Sequence, residues 1–174
     1  MRSPDLSRFL TSSGESLLAL SRRSPVLLVF LRHAGCTFCR EALADLGRQR
    51  AEIERSGTRI ALVHMSPAAD FEQLLATYGL AGVAHISDPH KHVYQAFGLG
   101  RGNLMQLFGP NLWRRGFQAL ADGHGVGRLQ GDGFQMPGLF VLEDGRIIHS
   151  YIHKDAGDRP DYCSFTPQPR LQSR

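Results

Sequence analysis

No apolar run in this sequence is long enough to cross a bilayer. The longest, Val26-Leu27-Leu28-Val29-Phe30-Leu31, falls far short of the about 20 residues that a spanning helix needs. The first segment does not read as a secretory signal either. Asp5, Arg8 and Glu15 interrupt it, and no apolar stretch precedes a small-residue cleavage site. A cytoplasmic location without membrane partners is the expectation. Cysteine is scarce, with three in 174 residues. A chain of this length buries a core without disulfide staples, and in a reducing compartment two close cysteines point to catalysis or metal binding. Basic blocks are missing too. The net charge is +4, yet only Arg22-Arg23 and Arg114-Arg115 are adjacent basic pairs, so no nucleic-acid partner is expected. Neither internal repeats nor low-complexity segments occur. At 42% hydrophobic and 21% charged, the composition is that of one globular domain.

The apolar pattern defines the order of elements. Residues 5–22 carry Leu6, Phe9, Leu10, Leu17, Leu18 and Leu20, interrupted by Ser12-Ser13-Gly14, which predicts one or two short amphipathic helices. Pro25 opens the Val26–Leu31 run, a strand covered on both faces. After Gly35 the period becomes helical through Cys39, Leu43, Leu46, Arg50 and Ile53, and Gly57 stops it. Ile60–Met65 is the next strand. Pro67 and Asp70 open a helix that ends at Gly79. Strand–helix–strand–helix order implies right-handed crossovers and a parallel sheet centre. His85–Asp88 is a short strand, and Asp88-Pro89 turns into a helix with Val93, Tyr94 and Phe97. Residues 98–133 read as an insertion with a helix around Leu112–Leu120. Trp113, Phe108, Phe117 and Phe134 would form a small core of its own. Leu139–Leu142 and Arg146–Tyr151 flank Glu143-Asp144-Gly145, a hairpin signal. The resulting division is a helical extension over 1–24, a main domain over 25–165 with an insertion at about 100–130, and a frayed tail over 166–174.

Cys36 and Cys39 carry the chemistry. The link Arg32–Gly35 puts Cys36 at a helix N-terminus, where unpaired N–H groups and partial positive charge favour a thiolate. Arg32, Arg40 and protonated His33 would add to that effect. With two residues between them, the sulfurs can meet across the first turn. Cys36 should be the more exposed and attack; Cys39 should be more buried and resolve. A metal reading would recruit Cys163 with His90 or His92, but no second C-x-x-C or H-x-H pair stands at zinc-finger spacing. His64 reads as a hydrogen-bonded core histidine, and His149 and His153 read as solvent-facing. Cys163 reads as a spare thiol. Met136-Pro137 stands directly before the late strand, where proline is tolerated because the ladder does not need its N–H.

The segment Val29-Phe30-Leu31-Arg32-His33-Ala34-Gly35-Cys36-Thr37-Phe38-Cys39-Arg40-Glu41 resembles the active-site segment of the peroxiredoxin-like, AhpC/TSA-related proteins of the thioredoxin superfamily. It is similar in particular to a bacterial selenoprotein branch with selenocysteine in the first C-x-x-C position. Ser87-Asp88-Pro89, Val93–Leu99, Gly131–Gly138 and Asp158-Arg159-Pro160-Asp161 resemble further parts of that family. The resemblance implies an α/β thioredoxin-like fold, a central mixed sheet flanked by helices and a C-terminal hairpin. It also implies a redox-active Cys36/Cys39 pair and a cis peptide before Pro137. The peroxiredoxin pattern Pro-x-x-x-Thr-x-x-Cys is not matched: His33 and Val29 stand three and seven before Cys36. The expected site is thus Cys36 and Cys39 as the catalytic pair, with Arg32, His33, Thr37, Phe38, Met136 and Pro137 against the substrate. That substrate is a hydroperoxide or a disulfide, and an external thiol of the thioredoxin or glutathione type restores the pair. No metal, flavin or nicotinamide is called for. A homodimer is open, as is a second reading, a thioredoxin-fold binding module without turnover.

Overall fold

The computed structural model describes residues 4–102, 134–154 and 158–167. The expected insertion helix, the Trp113 cluster and the end of the tail lie outside the described residues. A short 3-10 turn (Leu6–Arg8) and helix α1 (Leu17–Arg23) precede strand β1 (Val26–Phe30). Helix α2 (Thr37–Arg55), β2 (Arg59–His64), α3 (Ala68–Thr77), β3 (Ala84–Ser87) and α4 (His92–Ala96) follow. Strands β4 (Gly138–Glu143) and β5 (Arg146–Ile152) close the sheet, and a 3-10 turn spans Tyr162–Phe165.

The strand order is β3-β2-β1-β4-β5. β1, β2 and β3 run parallel, as the strand–helix alternation predicts, while β4 is antiparallel to β1 and β5 to β4. All five residues of β1 are fully buried, because helices cover both faces of the central strand. Side chains alternate along a strand, so they divide between two cores. Leu27, Val29, Ile60, Leu62, Leu139 and Val141 pack with α2, α3 and Tyr162. Val26, Leu28, Phe30, Val63 and Phe140 pack with α1 and α4. Leu6, Leu17 and Leu20 belong to that second core, so the stretch from Leu6 to Leu20 contributes to the sheet's covering layer.

Glycine and aspartate do the local work at two turns. Asp144 and Gly145 both have positive φ, 49° and 75°, which is the backbone that a tight hairpin turn requires. Gly57, with φ of 85°, follows the C-cap of α2. His64 is fully buried, stacks on Phe71 with ring centres 3.6 Å apart, and shares a 3.0 Å N···N hydrogen bond with His85, as expected of a core histidine. No helix among the described residues is long and apolar enough to cross a membrane.

Candidate redox site

Parallel strands bring their C-terminal ends to one edge of the sheet, and the loop from β1 to α2 sits there. Leu31 N donates to Val63 O at 2.8 Å, Met65 N to Arg32 O at 2.9 Å and Ala34 N to Ser66 Oγ at 2.8 Å. Tyr94 donates its hydroxyl to Leu31 O from α4. The link is therefore stitched to β2 and α4 before α2 begins. Cys36 is the N-cap residue of α2, and its N–H donates to His33 O at 3.0 Å. Cys39 follows one turn inside.

Arg32 joins the two sulfurs. Its Nη2 donates to Cys36 Sγ at 2.9 Å, and its backbone N–H donates to Cys39 Sγ at 3.2 Å. The Cys36 thiol is lowered to about 6. The hydrogen bond from Cys39 is the largest cause, burial works against it, and the Arg32 charge adds to the lowering. Burial, then the hydrogen bond and charge of Cys36, push Cys39 well above an ordinary thiol. The pair is thus split into an acidic and a reluctant thiol, and both are free in this structure.

Cys36 is 6% exposed against 4% for Cys39, the expected order, yet both sulfurs are buried and the Arg32 side chain lies against Cys36. Two expectations are corrected. His33 does not act as a cation. Burial, followed by the Arg32 charge, lowers its imidazole to about 4, so it is neutral at pH 7. Arg40 does not reach the sulfurs, since its Nε donates to Ala34 O at 2.9 Å. A third correction concerns Pro137: no cis peptide occurs among the described residues. The Met136–Pro137 bond is trans, with β4 starting directly after it.

The remaining expected residues fall close by. Phe38 is half-buried against Met136, and Thr37 is the half-buried first residue of α2. Pro137 lines a small pocket with Leu31, Arg32, Phe38, Cys39 and Ala42. His153 and Asp158 complete that lining. His153 is buried at 6% exposure, not solvent-facing, because it lies one residue beyond the end of β5, where strand alternation no longer applies. Arg159 is a further member that no spacing argument singled out. Its Nη1 donates to Glu41 Oε1 at 3.0 Å and its Nε to Asp45 Oδ2 at 2.7 Å, tying the C-terminal segment to α2 just beyond Cys39. Their signal was the Asp158-Arg159 pair in the family-like C-terminal stretch. Cys163 stands apart from the pair in the Tyr162–Phe165 turn. Burial, then Glu52, pushes its thiol up to about 11. Among the described residues no group of three or more His, Cys, Asp or Glu is placed to hold a metal ion.

The mixed sheet with helices on both faces, and a C-x-x-C pair where β1 passes into α2, define an α/β protein of thioredoxin-like fold. Residues 45–157 match the AhpC/TSA antioxidant enzyme family, and the chain belongs to it. The matched stretch begins on α2, after both cysteines. Peroxiredoxin-like 2C of Homo sapiens is 27% identical over 152 residues, 79% of this chain. The chain spans only 64% of that relative's length. Prostamide/prostaglandin F synthase of Bos taurus is 28% identical over 88% of this chain and 78% of its own. Among solved structures, peroxidoxin BcpB of Mycobacterium tuberculosis superposes with a TM-score of 0.61, 16% identity and coverage of 94% and 92% of the two chains. Peroxiredoxin Q of Xanthomonas campestris gives 0.58, 16%, 83% and 78%. At these identities the structures speak for the fold.

Proposed function

We propose that the protein is a thiol-dependent oxidoreductase of the peroxiredoxin-like type, using Cys36 and Cys39 to reduce hydroperoxides or protein disulfides in a reducing, cytoplasmic setting. The supporting observation is the Arg32 side chain 2.9 Å from Cys36 Sγ, because a thiolate is the form that attacks. Cys36 attacks a disulfide to give a mixed disulfide, or a hydroperoxide to give a sulfenic acid and the alcohol or water. Cys39 then displaces the bound group and closes the Cys36–Cys39 disulfide. A thiol reductant of the thioredoxin or glutathione type reopens it.

Steady-state turnover with hydrogen peroxide, an organic hydroperoxide and an insulin-type disulfide tests the proposal. Cys36→Ser abolishes whichever activity is present, and Cys39→Ser accumulates the mixed disulfide or sulfenic acid. Mass spectrometry of the oxidised wild type shows a loss of about two daltons on the peptide holding both cysteines, the two hydrogens of a dithiol closing to a disulfide. Unchanged cysteines after both kinds of oxidant would leave the binding-module reading in its place.

A further inference from the structure

The unequal thiols leave one step without a proton acceptor. Cys36 ionises readily beside Arg32, whereas Cys39 must give up a proton that burial makes it hold. The groups facing Cys39 do not serve. The Arg32 guanidinium is already protonated and cannot accept another proton, and Tyr94 and Tyr162 are buried phenols pushed up by that burial. On α2, Glu41 and Asp45 are both engaged by Arg159.

His153 is placed differently. Its backbone N–H donates to Pro137 O at 3.3 Å, which fixes it beside the Pro137 loop. It lines one pocket together with Cys39, Phe38, Pro137 and Asp158. The pocket holds about 10 Å³, close to the least that admits a single water. Asp158 is itself held there, accepting from Tyr151 Oη at 2.8 Å and from Lys154 N at 3.0 Å. Burial would raise its carboxyl, but those hydrogen bonds and the charge of His153 keep it below the usual range. The Tyr151 ring lies edge-on to the imidazole, with centres 5.7 Å apart.

We propose that His153, supported by Asp158, is the general base for Cys39, acting through one water in this pocket. The proposal deepens the redox reading above and rests on it. In the closing step the Cys39 thiol passes its proton through the water to the imidazole. Its sulfur attacks Cys36 Sγ of a mixed disulfide, Cys36–S–S–R. The Cys36–Cys39 bond forms, the bond to the R sulfur breaks, and the leaving thiolate takes the proton from the imidazolium. Nothing is oxidised or reduced from outside.

An aromatic disulfide with a chromogenic leaving thiol separates the two steps by stopped flow, in a Cys163→Ser background. Release of the first thiol reports attack by Cys36; release of the second reports closure by Cys39. His153→Gln leaves the first phase unchanged and slows the second by about 100-fold at neutral pH, the ordinary contribution of a general base. The deficit narrows as pH rises and Cys39 ionises unaided. In His153→Gly, added imidazole restores part of the second phase. Asp158→Asn, which keeps the imidazole, slows the second phase by less than His153→Gln. A second phase at wild-type speed in both His153 variants overturns the proposal. So does a slowed phase with neither imidazole rescue nor a changed pH profile, since His153 would then only shape the pocket. A wild type that shows no first phase overturns the redox reading instead.

Discussion

Arg32 Nη2 lies 2.9 Å from Cys36 Sγ, a charge-assisted contact made by a residue that is itself only 9% exposed. Removing the charge while keeping the backbone donor to Cys39 isolates its effect. In Arg32→Met the Cys36 thiol moves back toward an ordinary value. With each unit worth a factor of ten in ionisation, alkylation by iodoacetamide at pH 7 falls about tenfold or more. Arg32→Lys restores charge without the planar fork and is expected to fall between. An alkylation rate in Arg32→Met equal to that of wild type would remove the arginine from the account.

The lowered Cys36 thiol also sets a pH dependence of stability. Its folded value is about 6 against an ordinary 9.0, so the folded state favours the thiolate. That contribution is complete above about pH 9 and is lost as pH falls toward 6. At pH 7 it is on the order of 1 kcal/mol. Cys39 is shifted upward, so its contribution has the opposite sign and is lost as pH rises above about 9. Relative to Cys36→Ser, the reduced protein therefore gains stability from pH 6 to 9. Urea unfolding of both proteins across that range measures the difference, and parallel curves would contradict it.

The two cores and the site differ in how far the sequence revealed them. Val26–Leu31, the helical spacing from Cys39 to Ile53 and the Asp144-Gly145 turn are local patterns, and local patterns suffice for β1, α2 and the hairpin. The placement of Cys36 at the start of α2 followed from the same patterns. What the sequence left open was side-chain direction. Arg32 and Arg40 both flank the pair, but only the structure shows Arg32 on the sulfurs and Arg40 on a carbonyl. His153 and Arg159 reach the site from more than 100 residues away along the chain, a closeness that no spacing rule contains.

Gly47 illustrates a packing constraint of the same long-range kind. A Cβ added there would stand 2.0 Å from Tyr78 O, where α3 ends against α2. Alanine normally favours a helix over glycine by about 1 kcal/mol. Overpacking against backbone costs about 1–3 kcal/mol, and the neighbour here is a carbonyl that cannot rotate aside. Gly47→Ala is thus expected to destabilise, seen as a lower melting temperature. Because the Arg32 contacts lie about two turns or more away along α2, Cys36 alkylation is expected to stay unchanged. A raised melting temperature would show that α3 shifts freely.

Arg159 is the shared counter-charge of two carboxylates on α2. Glu41 and Asp45 are four residues apart with side chains 7% and 12% exposed, while Arg159 is 40% exposed. Asp45 keeps Arg48 as a second partner, but Arg159 is the side chain that bridges both carboxylates. Arg159→Met leaves two nearly buried like charges on one helical face. Breaking a fully buried pair costs about 3–5 kcal/mol. Solvent reaches this arginine, so about 2 kcal/mol is the expected loss. It appears as a lower urea midpoint at an unchanged slope. The double variant Arg159→Met with Asp45→Asn recovers part of the loss because the repulsion is gone. A single variant indistinguishable from wild type, or a double variant weaker than the single one, would mean that the contact merely decorates the surface of the C-terminal segment.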